Sequence, residues 1–490
     1  MSNPFDQLTG SDRLRSPGNL LLLVSLLFLT TYIVSEMGLT LGFGLILLPF
    51  ACAYLYLLFS YPVIGLYTAI FLGFTILGLA RYVDFQVGLL MDAILLLTFI
   101  ALIFKKFYEK IDWTPAKKDV TLLALIWFGY SMFELFNPES RSVAAWLNGT
   151  RGISIYMLLI IVLTLLLVDS NRKLSLFFFV WGVLSLLASL KGIMQNFWGV
   201  DSYEQAWLDA GGAITHVLFG KLRIFSFMSD AGQFGANQAY SAVVAAIVAM
   251  VEKDWRKKLF FIIVAVFGIY GMLLSGTRGA ISVPLAGFAT FFVLKKNKLV
   301  MFSGFVLLVI VFVFFKYTSI GQGNAQIRRM RSAFDPNDAS FQVRLENQRT
   351  LSAYLASRPF GGGIGQAGVK AKKYLPNAYL SQIATDSWYV MIWAEQGIIG
   401  LLLHLFILFY IVIKASGRIM NKIRDPILKM KMAALVSGMI GIMVASYGNA
   451  VLGTVPTAVT IYMSMALMLN TERFDTPLPE TVKEKIVDHR

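Results

Sequence analysis

The sequence predicts an all-α polytopic membrane protein of about 12–14 transmembrane helices, interrupted once by a large helical loop. Three observations predict it. Of 490 residues, 57% are hydrophobic and only 14% charged, where a soluble globular domain carries about a quarter charged residues. The apolar residues gather into runs of about 17–25, enough to cross the hydrocarbon core of a bilayer. Between those runs lie short basic clusters, and one basic, non-hydrophobic stretch extends from Tyr317 to Ser387.

About fourteen runs of spanning length can be placed. They begin near Leu20, Leu41, Val63, Val87, Val120, Ile153, Leu174, Phe234, Leu259, Ala280, Leu299, Trp388, Met432 and Val455. The closely spaced pairs Leu41/Val63 and Met432/Val455 leave the total open by a helix. The first run follows a polar stretch and has no small-residue cleavage site, so it reads as a retained helix rather than a removed signal peptide. The chain then divides into a cytoplasmic N-terminus (1–17), helices within 18–316, a loop at 317–387, helices within 388–471 and a cytoplasmic tail (472–490). No internal repeat or low-complexity stretch is visible.

The net charge of +15 invites a nucleic-acid reading, but placement decides against it. Lys105, Lys106, Lys110, Lys117 and Lys118 fall between apolar runs, as do Lys253, Arg256, Lys257 and Lys258, then Lys295, Lys296 and Lys298, then the basic residues from Lys414 to Lys431. With the N-terminus inside, all of these lie on the cytoplasmic side, as the positive-inside rule requires. The expected environment is the lipid bilayer, with no nucleic-acid partner. Cys52 is the single cysteine, so no intrachain disulfide can form, and only His216, His404 and His489 represent histidine. No metal centre or cofactor is expected.

Three segments face outward in this topology: Asn137–Gly152, Gly199–Gln233 and Tyr317–Ser387. They carry Arg141, Arg151, Arg223, Arg328, Arg329, Arg331, Arg344, Arg349 and Arg358, and Arg278 occupies a fourth outer turn. Arginine in outer loops runs against the positive-inside rule, and an anionic ligand at the outer face is the reason that suggests itself. Within the long segment, Phe341, Leu345 and Leu351 recur at roughly helical spacing, predicting a surface helix over 340–357 that ends at Arg358-Pro359. The tryptophans near outer ends, Trp146, Trp198, Trp207, Trp388 and Trp393, read as interface anchors.

Three pieces occur in order. The first is Arg223-Ile-Phe-Ser-Phe-Met-Ser-Asp230 followed by Gly235-Ala-Asn237. The second is Leu274-Ser-Gly-Thr-Arg278-Gly-Ala280. The third is Arg358-Pro-Phe-Gly-Gly-Gly-Ile-Gly365 leading to Asp386-Ser387, nine residues and Gly397-Ile-Ile-Gly400. Together they resemble the O-antigen ligase/polymerase family of bacterial envelope proteins, over roughly 221–400. The resemblance implies a GT-C-like membrane glycosyltransferase of the bacterial inner membrane. Its donor would be an undecaprenyl-diphosphate-linked oligosaccharide, and its acceptor lipid A–core or another carrier-linked glycan. The family's ligases open the last motif with histidine; here that position is Asp386, which leans the reading toward a polymerase or an exopolysaccharide-type ligase.

Breaking a sugar–diphosphate bond builds negative charge on the leaving group, and guanidinium groups or a metal can stabilise it. With outer arginines and no Asp-x-Asp pattern at outer ends, a metal-independent, inverting enzyme is expected. Arg223 and Arg278 are the expected diphosphate ligands; the competing reading has each snorkelling or paired locally. Asp386 is the candidate proton acceptor by position, and equally a candidate helix N-cap before Ser387. Arg344, Arg358 and Ser387 are expected to bind substrate. Lys191 and Glu395, at membrane depth, are expected either to form a salt bridge or to serve the substrate, Glu395 as a second proton acceptor. His216 is a weaker substitute for the family histidine, and His404 reads as a packed, hydrogen-bonded core histidine. The rival function is a transporter or flippase of lipid-linked oligosaccharide, which predicts paired broken helices and internal repeats; an inactive scaffold is the third reading.

Overall fold

In the computed structural model, the described residues are 39–83, 87–218, 220–323, 325–332, 335 and 337–475, with a few single positions before 39. The run near Leu20 therefore lies outside them, as does most of the tail. Residues 1–64 and 65–490 form two units. In the first, α1 (Leu39–Ser60) is an apolar helix with Pro49 inside it.

Apolar runs become helices here because only a helix satisfies its own backbone in lipid. After α2 (Val63–Leu79) come α3 (Gly88–Lys105), α4 (Asp119–Phe133), α5 (Val143–Leu167) and α6 (Asn171–Phe197). Then follow α7 (Ala231–Val251), α8 (Trp255–Ser275), α9 (Ser282–Lys295) and α10 (Lys298–Tyr317). Each predicted run that falls within the described residues corresponds to a helix, and among those residues nine helices are long and apolar enough to cross a membrane. The chain is an all-α polytopic membrane protein. Its described strands are two short ones, β1 (Val217–Leu218) and β2 (Lys221–Leu222), paired antiparallel.

At the centre of the second unit is α7, packed against α6, α8, α9 and α14 (Pro426–Ala445). Its sequence is rich in glycine and alanine, which lets neighbouring backbones approach closely where lipid provides no hydrophobic drive. Polar side chains join the helices instead. Ser185 and Ser189 of α6 donate to Gln238 Oε1 at 2.8 and 2.9 Å, and Trp181 Nε1 donates to Ser241 at 2.9 Å.

The surface segment is built differently. Between α10 and α13 (Trp388–Asn421) lie α11 (Ala325–Arg331) and α12 (Ala339–Leu355), the latter capped by Asp338. Leu351 and Leu355 of α12 bury with Ala367, Leu380, Ile383 and Ala394. Each leucine buried there contributes about 2 kcal/mol by the hydrophobic effect.

The sequence reads α13 as one continuous helix; the structure breaks it. Gly397 has φ +68°, and a Cβ there would lie 1.9 Å from Pro359 O. The Arg358-Pro-Phe-Gly loop docks against this break, with Gly362 N donating to Ala394 O and Gly363 N to Glu395 O, each at 2.9 Å. The third motif is thus one packing unit: its first half fills the kink made by its second. The last helix, α15 (Thr457–Met468), packs on α5 and α14.

Candidate active site

The ends of α6, α8, α10 and α14, the starts of α7, α9 and α13, and the surface segment meet at one end of the bundle. The sequence folds there around close backbone approaches. At Gly279, one residue past Arg278, a Cβ would lie 2.3 Å from Asn449 Nδ2, so the Ser-Gly-Thr-Arg-Gly turn sits directly on the α14–α15 loop. Asp230 caps α7, accepting from Gln233 N at 2.9 Å and from Ser229 Oγ at 2.7 Å. Burial alone would raise its carboxyl. The Ser229 and Gln233 hydrogen bonds, with Lys370 and Arg223 nearby, instead hold it below the usual carboxylate range.

Four guanidinium groups converge on this region. Arg223 donates to Thr277 Oγ1 at 3.5 Å, and its Nε has no partner among the described residues. Burial lowers its pKa first; Asp230 opposes this, while Arg278 and Arg344 lower it further. Arg278 is ion-paired with Asp338 and donates to Ser332 at 3.2 Å and Ser340 at 2.6 Å, which ties the turn to α12. Arg329, on α11, is half-buried and has no carboxylate partner among the described residues. Burial, together with the like charges of Arg223 and Arg278, brings it down to about 10. Arg344 pairs with Asp386 at 3.4 Å. Two unit charges about 6 Å apart repel by roughly 3 kcal/mol at an effective dielectric of ~20. Arg278 and Arg344 are offset by their ion pairs, which leaves Arg223 and Arg329 without a carboxylate ion pair among the described residues.

Two cavities flank the Arg344–Asp386 pair. The first, of about 490 Å³, has Arg278, Arg344, Asp335 and Asp338 on its charged side, and Ile281, Leu285, Phe341 and Val444 on its apolar side. The second, of about 340 Å³, is lined by Asn148, Lys370, Tyr374, Asp386, Trp388 and Glu395, among others. Tyr374 and Asn148 also line a third cavity of about 710 Å³, where Arg151 is ion-paired with Asp92. The first cavity suits a charged group attached to an apolar chain, and the second a polar, hydroxyl-rich one.

The residues singled out from sequence separate into two sets. Arg223, Arg278, Arg344, Asp386 and Ser387 come together. Ser387, not Asp386, is the N-cap of α13: its Oγ accepts from Val390 N at 3.4 Å and donates to Ser446 O at 3.2 Å. The Asp386 carboxylate is thereby left half-exposed beside Arg344, and the N-cap reading of Asp386 is corrected.

Glu395 lines the second cavity with Asp386. The expected salt bridge is not formed: its carboxyl faces the amides of Gly365 and Ala367, and its Oε2 has no partner among the described residues. Lys191 is elsewhere, bonded to Asp201 at 3.0 Å and Glu204 at 3.2 Å, because those carboxylates lie on the loop directly above α6. Arg358 pairs with Glu139 at 3.0 Å and stacks on Tyr354 at 4.1 Å, lining neither of the first two cavities. His216 is enclosed by Trp207 and Phe225, within hydrogen-bond distance of Gly212 O and Ser229 O. His404 accepts from Trp388 Nε1 at 2.9 Å in the core, as its apolar sequence context predicts.

Arg329, named from sequence only as one of the outer arginines, and Lys370, not singled out at all, join the site. The only sequence signal for Arg329 is the outward cluster Arg328-Arg329-Met-Arg331, and nothing in it tells which arginine turns inward. Arg331 instead stacks on Phe314 at 5.0 Å, and Arg328 bonds to Gln322 O at 3.0 Å.

Comparisons with known proteins bear on the same elements. A family model described as O-Antigen ligase matches residues 262–405, the stretch that holds Arg278, Arg329, Arg344 and Asp386. An "O-antigen polymerase" of Salmonella muenchen is 22% identical over 360 residues, spanning 69% of this chain and 85% of that protein. Over these residues the chain is similar to the O-antigen ligase/polymerase family. The likeness supports a role in O-antigen assembly, and the motif residues Arg223, Arg278 and Asp386 fall in the arginine-rich region described above.

Proposed function

We propose that the protein is an inner-membrane glycosyltransferase that polymerises, or transfers to a final acceptor, a glycan carried on undecaprenyl diphosphate at the periplasmic face. The observation that carries this reading is the convergence of Arg223, Arg278, Arg329 and Arg344 beside a cavity walled by Ile281, Leu285 and Val444. A diphosphate suits the guanidiniums, since arginine binds phosphate oxygens through a planar fork. The polyprenyl chain suits the apolar wall. The glycan to be extended would occupy the second cavity, across the Arg344–Asp386 pair.

In the step proposed, a hydroxyl oxygen of the acceptor sugar attacks the donor's anomeric carbon. The carbon–oxygen bond to the diphosphate breaks, and its electron pair leaves with the carrier. Asp386 accepts the hydroxyl proton, and the arginines neutralise the departing diphosphate. One displacement without a covalent intermediate inverts the anomeric centre. No divalent metal takes part. The polymerase form is favoured by Asp386 in place of histidine and by the name of the Salmonella muenchen relative.

The test is the surface polysaccharide profile of cells carrying Arg278→Ala or Asp386→Asn at wild-type expression. Collapse of the long ladder to single repeats makes the protein a polymerase. Intact polymer that fails to reach its acceptor makes it a ligase. An unchanged profile with both variants removes the enzymatic reading and brings the transporter forward.

A further inference from the structure

At the opposite end of the bundle from the arginine cluster, the starts of α6, α8 and α14 and the end of α7 enclose a cavity of about 500 Å³. Its rim carries Arg172, Arg256, Lys257 and Lys431 against one carboxylate, Glu252. Lys431 lies 4.0 Å from Glu252 and Lys257 lies 3.9 Å from Asp254. Arg172 and Arg256 have no carboxylate partner among the described residues, so the rim keeps an excess of positive charge.

The interior is apolar and aromatic. Phe178 and Phe261 form a buried floor, 3% and 6% exposed. Phe179, 51% exposed on the lipid-facing side, lies against Phe260 with ring centroids 5.1 Å apart. Phe260 in turn rests on Gly182, where a Cβ would meet its ring at 2.9 Å. The cavity thus has a cationic mouth at the helix ends and an aromatic wall running down the outer surface of α6 and α8.

A soluble anion would use the mouth and leave the wall in contact with nothing suited to it. A zwitterionic lipid would use the wall and gain little from the rim. Only an amphiphile with a net negative head uses both. We propose that this cavity binds one anionic phospholipid, its phosphate between Arg172 and Arg256 and an acyl chain along Phe179 and Phe260. Basic pockets between transmembrane helices hold anionic head groups by this combination of charge and apolar contact.

The test uses the purified full chain in detergent, with phosphatidylglycerol or phosphatidylcholine added and bound lipid counted by native mass spectrometry. Arg172 and Arg256 are both exposed, so replacing them leaves the fold intact. The wild-type protein should retain phosphatidylglycerol in preference, and Arg172→Gln/Arg256→Gln should lose that preference by roughly tenfold or more. A control, Lys105→Gln/Lys106→Gln, removes the same charge at the same end outside the cavity and should keep it. Inorganic phosphate at high concentration should not displace the lipid. The proposal is overturned if the double variant keeps its preference, if the control loses it equally, or if inorganic phosphate abolishes it.

Discussion

Arg344 and Asp386 form an ion pair of 3.4 Å at the boundary between two cavities, one walled by Ile281, Leu285, Phe341 and Val444 and one by Tyr374, Trp388 and Glu395. The pair is open to water, with the side chains 34% and 52% exposed. Exposed pairs contribute at most about 1 kcal/mol to stability. Asp386→Asn should therefore leave the melting temperature within a few degrees of wild type while glycan transfer falls by about a hundredfold or more, as loss of a proton acceptor does. Purified protein with a lipid-linked donor, assayed beside a thermal melt, separates the two effects. Full activity in the variant would move the proton to Glu395, which lines the same cavity.

Arg329 is a residue the fold holds at a cost. Its folded-state pKa, about 10, lies below the ordinary arginine value because of burial and two neighbouring guanidiniums. Between those two values the unfolded chain binds the extra proton, so stability rises with pH only in that window. At neutral pH the unfavourable contribution is present in full. Arg329→Ala should then melt no lower than wild type, and slightly higher at low salt. It should also lose transfer activity by tenfold to a thousandfold, roughly the effect of removing one charge stabiliser. Farnesyl diphosphate, a soluble analogue of the carrier, should raise the wild-type melting temperature more than that of the variant. A variant that unfolds readily and responds equally to the diphosphate would show Arg329 to be structural.

Lys191 tests the opposite case. Its ammonium lies between Asp201 and Glu204, and the Glu204 side chain is fully buried. Asp201 is drawn down to about 2: burial would raise it, but hydrogen bonds from Tyr82, the Glu204 amide and Lys191 outweigh that. Its contribution is present above the ordinary carboxylate value near 3.8 and is lost as pH falls toward about 2. Removing the lysine leaves buried Glu204 with less compensation, a loss of about 3 kcal/mol or more. Lys191→Met should lower the melting temperature clearly while leaving the donor KM unchanged in the protein that remains folded. A raised KM at unchanged stability would return Lys191 to the substrate.

These cases show what the sequence could and could not disclose. The apolar runs were legible because lipid permits them one backbone solution, so α2 to α10 and α13 to α15 follow from hydropathy alone. Arg278 and Arg223 stand out in the sequence because the positive-inside rule disfavours arginine in outer loops, and the structure brings the two near one another. The break at Gly397 was not legible, since the Pro359 carbonyl packed against it comes from a segment distant in sequence. Nor could Arg358 and Arg329 be told apart. One found Glu139 and Tyr354 through the tertiary fold, while the other forms no ion pair among the described residues and feels Asp338 only at longer range. Motif positions marked the neighbourhood, and packing decided which side chains entered it.

The leaving diphosphate needs positive charge, and in the proposed step that charge comes from arginine rather than from a bound metal. The four guanidiniums supply it before the reaction begins, so their effect should not depend on any dissociable ion. Transfer by the purified protein should be unchanged by EDTA and not increased by added Mg²⁺ or Mn²⁺. Arg278→Lys should nonetheless lose activity by about a hundredfold. The ammonium keeps the charge but loses the planar fork that holds two phosphate oxygens, and with it the bonds to Ser332 and Ser340 that fix the turn. The two responses are independent. A rate that falls with chelator and returns with Mg²⁺ would assign the diphosphate to a metal and leave Arg278 a turn-positioning residue. A chelator-resistant rate that survives Arg278→Lys would mean that charge alone suffices and that the diphosphate does not use the fork.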